Sequence, residues 1–324
     1  MQRDLYIDTI RGICVVSIIF IHTVFYSVAS FTPDWIRNIS LLMDVPLFFF
    51  LSGCTMAIYP KFDPLKQIFK LAILFFAAIV ICRIIFLEIN LKSLLAPLVL
   101  GGANVSQLQI IQYSYWFIPI YAVGILWAKI MTNYLRGWII NICLILVPVF
   151  YCYLYFSHKI FLSPKVLEGV SVQMFLFPLW LILLGYKTYK CDIKLVWFGL
   201  SFISFAILLL IMLTHVDFYL QNYKFPISLP YIIASMISLG LVMGFKRTVK
   251  NNIFAEIGQK AIYFYLSQGI SSSVLCRAVF EISLPWALKL LFFFFLNCSM
   301  ALLLGKLIFE LEPKITSFVI KKSE

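Results

Sequence analysis

Ten windows of about twenty mostly apolar residues constrain the fold of this chain more than any other feature of its sequence. They lie near residues 7–30, 39–59, 68–88, 110–131, 138–156, 169–187, 196–214, 228–245, 257–278 and 286–309. A window of this length is what an α-helix needs to cross the hydrocarbon core of a bilayer. With 63% hydrophobic and 12% charged residues, a 324-residue chain cannot bury so much apolar surface as a soluble protein. We therefore predict an all-α, polytopic membrane bundle of about ten transmembrane helices.

No long polar stretch or flexible linker separates these windows, so residues 1–324 are interpreted as a single membrane domain without a separate soluble domain. The segment 91–101 is too short to span a bilayer and predicts an interfacial or re-entrant piece. The first window is preceded by Asp4 and contains Asp8, and no small-residue cleavage site follows it. This pattern favours a retained first span over a cleaved signal peptide.

The net charge of +12 would suggest a nucleic-acid partner in a soluble protein, but here the loops account for it. Ten spans place 17 of the 26 lysines and arginines on the side of the N-terminus and 7 on the opposite side. Basic residues concentrate in cytoplasmic loops of membrane proteins, so the bias predicts that both termini are cytoplasmic. We expect the lipid bilayer, and no nucleic acid, among the partners.

The eight cysteines show no CxxC spacing, and most of them lie inside apolar windows. A small, weakly polar side chain packs readily at such positions. The sequence therefore predicts neither a disulfide framework nor a metal site.

Two basic residues, Arg11 and His22, lie inside the first window. Eleven residues are nearly three helical turns, so both side chains lie on one face, separated by roughly 16 Å along the axis. Because ionisable groups at membrane depth are costly, such a pair indicates a functional site. His22 suits a general base that accepts a proton from a hydroxyl, or alternatively a packing contact with a neighbouring helix. Arg11 could grip a phosphate or carbonyl group, or close the helix end at the interface.

The second window contains the run MDVPLFFFLSGC at positions 43–54. Pro46 removes a backbone donor, and the pair Ser52-Gly53 allows another helix or a ligand to approach closely. Asp44 could orient a base, bind an acceptor hydroxyl or cap the helix at the interface.

These segments resemble the membrane-bound acyltransferase family 3. The first helix of that family carries the pattern D-x-x-R-G, then a histidine, matched here by Asp8, Arg11, Gly12 and His22. Its VPLFFxLSG segment matches residues 45–53, and the cluster Tyr115-Trp116-Phe117 and the segment IGQKAIYFYLSQ (257–268) match weaker motifs. The late segment departs from the pattern, because Gln268 stands where the family often has histidine. Since an amide does not exchange protons near neutral pH, this leaves His22 as the candidate base.

The resemblance implies an O-acyltransferase of the bacterial inner membrane. It would move an acetyl or other acyl group from cytoplasmic acyl-CoA, most simply acetyl-CoA, to a hydroxyl of an extracytoplasmic surface polysaccharide or lipid-linked sugar. In this interpretation His22 and Arg11 are catalytic, and Arg11, Lys66 and Lys70 bind the coenzyme. The two lysines could equally be ordinary inner-loop charges. Residues expected to bind the acceptor are Asp44, Trp116 and Gln268. The alternative is a transporter or flippase for a glycolipid or small anion, in which the buried charges line a path and no covalent chemistry occurs.

Overall fold

The computed structural model describes residues 3–25, 31–85, 114–157, 165–167, 170–214, 218–279 and 281–321, and these residues are almost entirely helical. The predicted interfacial segment 91–101 lies outside them. The helices are α1 (Leu5–Val24), α2 (Asp34–Ser40), α3 (Pro46–Ile58), α4 (Pro64–Ile85), α5 (Phe117–Tyr134), α6 (Gly137–Phe156), α7 (Val172–Thr188), α8 (Lys194–Thr214), α9 (Leu229–Gly244), α10 (Ile253–Gln259), α11 (Ala261–Ala278) and α12 (Trp286–Lys321). Two 3-10 turns occur at Leu41–Met43 and Leu220–Tyr223, and a short antiparallel strand pair joins β1 (Lys165–Leu167) to β2 (Val170–Ser171).

Each of the ten predicted windows falls on a helix or on two consecutive helices, which confirms the all-α prediction apart from the short strand pair. By length and hydropathy, five of the described segments can cross a membrane: Leu5–Val24, Asp34–Ile58, Gly137–Phe156, Lys194–Thr214 and Trp286–Pro313. The chain is thus a multi-pass membrane protein. Ten spans with cytoplasmic termini remain a prediction from the charge bias.

The spanning segments divide into a central and a peripheral set. Within the apolar windows of α1 and of the α2–α3 segment, 61% and 67% of residues are buried, whereas the values for α6, α8 and α12 are 17%, 22% and 22%. The peripheral helices expose large apolar side chains such as Leu146, Phe202 and Phe295. Lipid can cover those faces. The two basic residues of α1, Arg11 and His22, are half-buried on this central helix.

Two predicted windows are interrupted where the sequence carries a helix-breaking or close-packing residue. Between the 3-10 turn and α3, Pro46 begins a new helix because it has no N–H for the preceding turn. The predicted window 257–278 contains a break at Lys260, between α10 and α11. Gly258 lies just before this break and packs α10 against the backbone of α1, so the short helix follows α1 rather than continuing α11.

Glycine pairs bring two pairs of helices into backbone contact. A Cβ atom on Gly12 would lie 1.9 Å from the Phe254 carbonyl oxygen, and one on Gly258 would lie 1.7 Å from the Asp8 carbonyl oxygen. Likewise, a Cβ on Gly53 would meet the Ile182 carbonyl oxygen of α7 at 1.9 Å. The close approach predicted at Ser52-Gly53 is therefore made by a helix. Such small-residue contacts are a common means of joining helices in membranes.

We expect Gly53→Ala to destabilise the protein by about 1–3 kcal/mol, because overpacking forces the α3 and α7 backbones apart. Thermal unfolding of the purified protein in detergent would measure the loss. The matched control is Gly199→Ala on α8, where an added Cβ meets no atom within 4 Å. Equal unfolding temperatures for the two variants would contradict the close contact.

Candidate active site

The Arg11 guanidinium is fixed between α1 and α3 near the N-terminal end of α1. The Asp4 side chain caps that helix by accepting hydrogen bonds from the Tyr6 and Ile7 amides. Arg11 Nη1 lies 3.4 Å from Asp8 Oδ1. On the α3 side, Arg11 Nη2 donates to the Leu51 carbonyl oxygen at 3.3 Å and to the Thr55 hydroxyl.

Asp8 also pairs with Arg3, so one buried carboxylate lies between two guanidinium groups. Buried charges in proteins require partners of this kind. The Arg11 side chain keeps 19% of its surface exposed, and that surface faces two cavities.

The first cavity, here called the Arg11 cavity, has a volume of about 230 Å³. One part of its wall is aromatic, because Phe48, Phe117 and Tyr265 pack with ring centroids 5.1–6.3 Å apart. Polar groups from Ser52 and Thr55 lie on the same lining as Arg11. The lining is thus shared between aromatic rings and polar groups, a combination that suits a small-molecule site.

The second cavity, here called the entrance cavity, has a volume of about 370 Å³ and is lined by Arg3, Asp4, Asp8, Arg11, Gln67 and Gln259, among others. It shares Arg11, Gln67 and Gln259 with the Arg11 cavity, so the two are neighbours around one guanidinium. The entrance cavity lies at the N-terminal end of α1, on the side predicted to be cytoplasmic.

A second cluster of charges is centred on Asp44, between the Leu41–Met43 turn and α3. Lys224 Nζ lies 2.6 Å from Asp44 Oδ2, and the two side chains are only 9% and 3% exposed. The same oxygen accepts a hydrogen bond from the Tyr231 hydroxyl at 2.7 Å, while the Val45 amide donates to Oδ1 at 2.7 Å. The carboxylate is thus fully engaged. His22 lies within electrostatic range of both Asp44 and Lys224.

Trp116 belongs to this second cluster. Its ring packs edge-on against Phe225 at 5.1 Å, and Lys224 Nζ lies 5.9 Å from the Trp116 centroid. The cluster of Asp44, Lys224, Tyr231, Trp116 and Phe225 is here called the Asp44 cluster.

A family model described as an acyltransferase domain, that of acyltransferase family 3, matches residues 4–306. The chain belongs to acyltransferase family 3. No curated protein and no solved structure matches it. The predicted resemblance is thereby confirmed, and the matched residues include Arg11 and the whole Asp44 cluster. The protein is a membrane acyltransferase.

In this family 3 acyltransferase, the two α4 lysines that are predicted to bind the coenzyme, Lys66 and Lys70, have different surroundings. Lys70 lines the Arg11 cavity and forms an ion pair with Glu312 Oε1 at 3.1 Å; the Tyr263 hydroxyl donates to the other Glu312 oxygen. Lys66 lies one turn earlier, is exposed, and is outside the walls of the Arg11 and entrance cavities. The structure therefore brings Lys70, but not Lys66, to Arg11.

Gln268 is completely buried on α11 of the acyltransferase. Its Nε2 donates to the Ser114 hydroxyl at 2.8 Å, and Tyr265 on the same helix donates to the Ser114 carbonyl oxygen. Gln268 Oε1 has no hydrogen-bond partner among the described residues. A buried hydrogen-bond acceptor without a partner is uncommon, because folding removes the hydrogen bonds that the atom made with water in the unfolded chain.

Sequence reasoning missed two residues that organise the site. Lys224 lies in a predicted loop like many other lysines, and nothing local marks it as the partner of Asp44. Asn297 carries one usable signal, because it is a polar amide within an apolar window. Its Nδ2 donates to the Thr23 and Ser272 hydroxyls, and its Oδ1 accepts from Ser271 at 2.6 Å. Asn297 thereby joins α12 to α11 and to the turn of α1 that carries His22.

Among the residues that the structure describes, no group of three or more His, Cys, Asp or Glu side chains is placed to hold a metal ion. Polar groups that could contact a substrate line the Arg11 cavity and the entrance cavity.

Proposed function

We propose that this chain is an O-acyltransferase of the bacterial inner membrane, with ten spans and both termini cytoplasmic. It transfers an acetyl group from cytoplasmic acetyl-CoA to a hydroxyl of an extracytoplasmic surface polysaccharide or lipid-linked sugar. One observation carries the proposal: a single helix, α1, holds Arg11 beside two adjoining cavities near one end and carries His22 about three turns further along, within electrostatic range of Asp44 and Lys224.

The donor binds on the Arg11 side in this proposal. Arg11 offers a planar fork of N–H donors, which suits a carbonyl or phosphate oxygen. Lys70 adds a cation to the wall of the same cavity. Lys66, exposed one turn before it, attracts the coenzyme phosphates without lining the cavity.

The rise of roughly 16 Å between Arg11 and His22 favours separate roles for the two residues. A general base must lie within hydrogen-bond distance of the proton it removes. The Arg11 guanidinium, which is held by Asp8, Leu51 and Thr55, is too far along α1 to contact the same tetrahedral carbon as His22. The arrangement therefore supports donor binding, rather than stabilisation of the oxyanion, as the role of Arg11.

His22 acts as the general base. Its imidazole accepts the proton of the acceptor hydroxyl as that oxygen attacks the thioester carbonyl carbon. The tetrahedral intermediate then collapses, the C–S bond breaks, and the coenzyme leaves as a thiolate that takes up a proton. The products are the acetyl ester and free coenzyme A.

The acceptor binds toward the Asp44 cluster. Trp116 provides an aromatic face on which a sugar ring can stack. The open Gln268 Oε1 can accept a hydrogen bond from a hydroxyl group. Asp44 contributes to the acceptor site through its ion pair with Lys224. This pair keeps Lys224 beside the Trp116 ring and within electrostatic range of His22.

Mass spectrometry of surface glycans, with and without the gene, tests the proposal. The expected result is a mass increment of one acetyl group that requires the gene. Unchanged glycan masses combined with altered glycolipid distribution across the membrane would instead indicate a transporter.

Replacing Arg11 by lysine is expected to raise the KM for acetyl-CoA about tenfold or more. Lysine keeps the charge but cannot bind Asp8, Leu51 and Thr55 together while presenting a fork to the donor. Initial rates at varied acetyl-CoA concentration would measure the change. The control is Arg136→Lys, an exposed arginine at the start of α6; a KM equal to that of the control would contradict the donor-binding role.

A further inference from the structure

A third cavity lies at the same end of the bundle as the entrance cavity. Its volume is about 760 Å³, and it opens where the N-terminal end of α1, the α7–α8 loop and the segment after α9 meet. Volumes of about 300–1,000 Å³ are usual for ligand pockets. We call it the basic cavity, because its lining includes five cationic side chains: Arg3, Lys190, Lys194, Lys246 and Arg247.

Two of these five cations already have partners. Arg3 pairs with Asp8, and Lys246 donates to the Tyr189 carbonyl oxygen at 2.6 Å while lying 3.7 Å from the Tyr189 ring centroid. Lys190, Lys194 and Arg247 make no ion pair with the described residues, although Asp4 and Asp192 also line the cavity. Three exposed cations therefore face one cavity with their charge available to a ligand.

Tyr189 adds no negative charge to the basic cavity. Its hydroxyl donates a hydrogen bond to the Asp4 carboxylate. Burial, together with that bond, raises the pKa of Tyr189 well above its ordinary value, so the phenol stays neutral. The same bond occupies one Asp4 oxygen, and the other caps α1.

The basic cavity is continuous with the donor side of the proposed active site. It shares Arg3, Asp4 and Ile58 with the entrance cavity, which in turn shares Arg11, Thr55 and Gln259 with the Arg11 cavity. Between Asp4 and Arg11 the rise along α1 is roughly 10 Å. The three cavities thus follow the α1 backbone from a cationic opening to an aromatic end.

We infer that the basic cavity binds the phosphorylated nucleotide of the acyl-CoA donor, with Lys190, Lys194 and Arg247 contacting its phosphates. This inference rests on the proposed function. The donor is a long molecule whose anionic nucleotide and neutral thioester are separated by a flexible pantetheine arm. The order of the cavities matches that division: the cations at the opening suit the nucleotide, and the polar and aromatic linings that follow suit the pantetheine arm.

The test compares two double variants of the full-length protein in nanodiscs of neutral lipid. Lys190→Ala/Arg247→Ala removes two cations from the basic cavity. The matched control, Lys61→Ala/Arg136→Ala, removes the same charges from exposed positions outside all three cavities. Binding of coenzyme A and of S-acetylpantetheine, which lacks the nucleotide, is measured by calorimetry.

We expect the cavity variant to bind coenzyme A about tenfold or more weakly than the control variant, because charge-assisted contacts to phosphate are lost. Binding of S-acetylpantetheine should be the same in both variants, which also shows that the cavity variant is folded. Equal affinities for coenzyme A would overturn the inference alone. No coenzyme A binding by the unmodified chain would overturn the proposed donor as well.

A lipid headgroup carries the same phosphate chemistry, so a second arm repeats the measurement with anionic phosphatidylglycerol in the nanodisc. If the basic cavity binds the donor, the tenfold difference in coenzyme A affinity between the cavity variant and the control variant is already present in neutral lipid, where no anionic headgroup is present. Loss of bound phosphatidylglycerol from the cavity variant, with coenzyme A affinity unchanged, would assign the cavity to lipid and overturn the inference.

Discussion

Replacing His22 by alanine is expected to slow acetyl transfer by about 10²–10⁴-fold, the usual contribution of a general base, and so to abolish the acetyl increment on surface glycans. Membrane insertion should be unaffected, because α1 remains apolar over the same length. Transfer from radiolabelled acetyl-CoA in isolated membranes would measure the residual rate. The amount of protein in the membrane is measured alongside it.

The variant His22→Gln separates catalysis from packing. Glutamine can still hydrogen-bond to a neighbouring helix but cannot take a proton near neutral pH. If His22 is the base, both variants are inactive. If His22 only packs, the glutamine variant retains activity, and that outcome would falsify the proposed mechanism. His158→Ala, at a histidine outside the described residues, is the control.

Replacing Lys224 by methionine is expected to destabilise the protein by about 3–5 kcal/mol. The change leaves the Asp44 carboxylate buried with an uncompensated charge, and removing one partner of a buried ion pair is costly. The Tyr231 and Val45 donors remain but do not neutralise the charge. Thermal unfolding in detergent, followed by intrinsic tryptophan fluorescence, would detect the loss.

The double variant Asp44→Asn/Lys224→Met should recover most of that stability, since neither residue then carries an unpaired charge. A useful contrast is Glu312→Gln, which breaks the Lys70–Glu312 pair. Lys70 is 44% exposed, so this substitution should cost no more than about 1 kcal/mol. Equal losses for Lys224→Met and Glu312→Gln would contradict the structural importance of the Asp44 pair.

The sequence predicted the helical architecture well because apolar windows and helix periodicity are local properties. The same holds for the position of Arg11 and His22 on one helix, since α1 is continuous from Leu5 to Val24. The closeness of Ser52-Gly53 to another helix was also predictable from residue type. The contact partner, the Ile182 carbonyl on α7, could not be predicted, because Gly53 and Ile182 are far apart in the chain.

The pairing of Asp44 with Lys224 could not be predicted, because loop lysines look alike in sequence and only tertiary packing selects one of them. For the same reason Lys66 and Lys70 appeared equivalent, although only Lys70 lines the Arg11 cavity. The break at Lys260 follows from the crossing of α10 and α1 at Gly258, which no local pattern encodes.

The glycine contacts also determine which parts of the protein can move during turnover. At Gly12 with Gly258, and at Gly53 with Gly185, backbones already touch, so α1 with α10 and α3 with α7 form two closely packed pairs. Widening of the Arg11 cavity is then expected to come from side chains that line it, such as the half-buried Phe48 and Tyr121, rather than from these helices. Rotation of half-buried side chains is faster than the relative movement of packed helices, so widening and narrowing of the Arg11 cavity should not limit the catalytic rate.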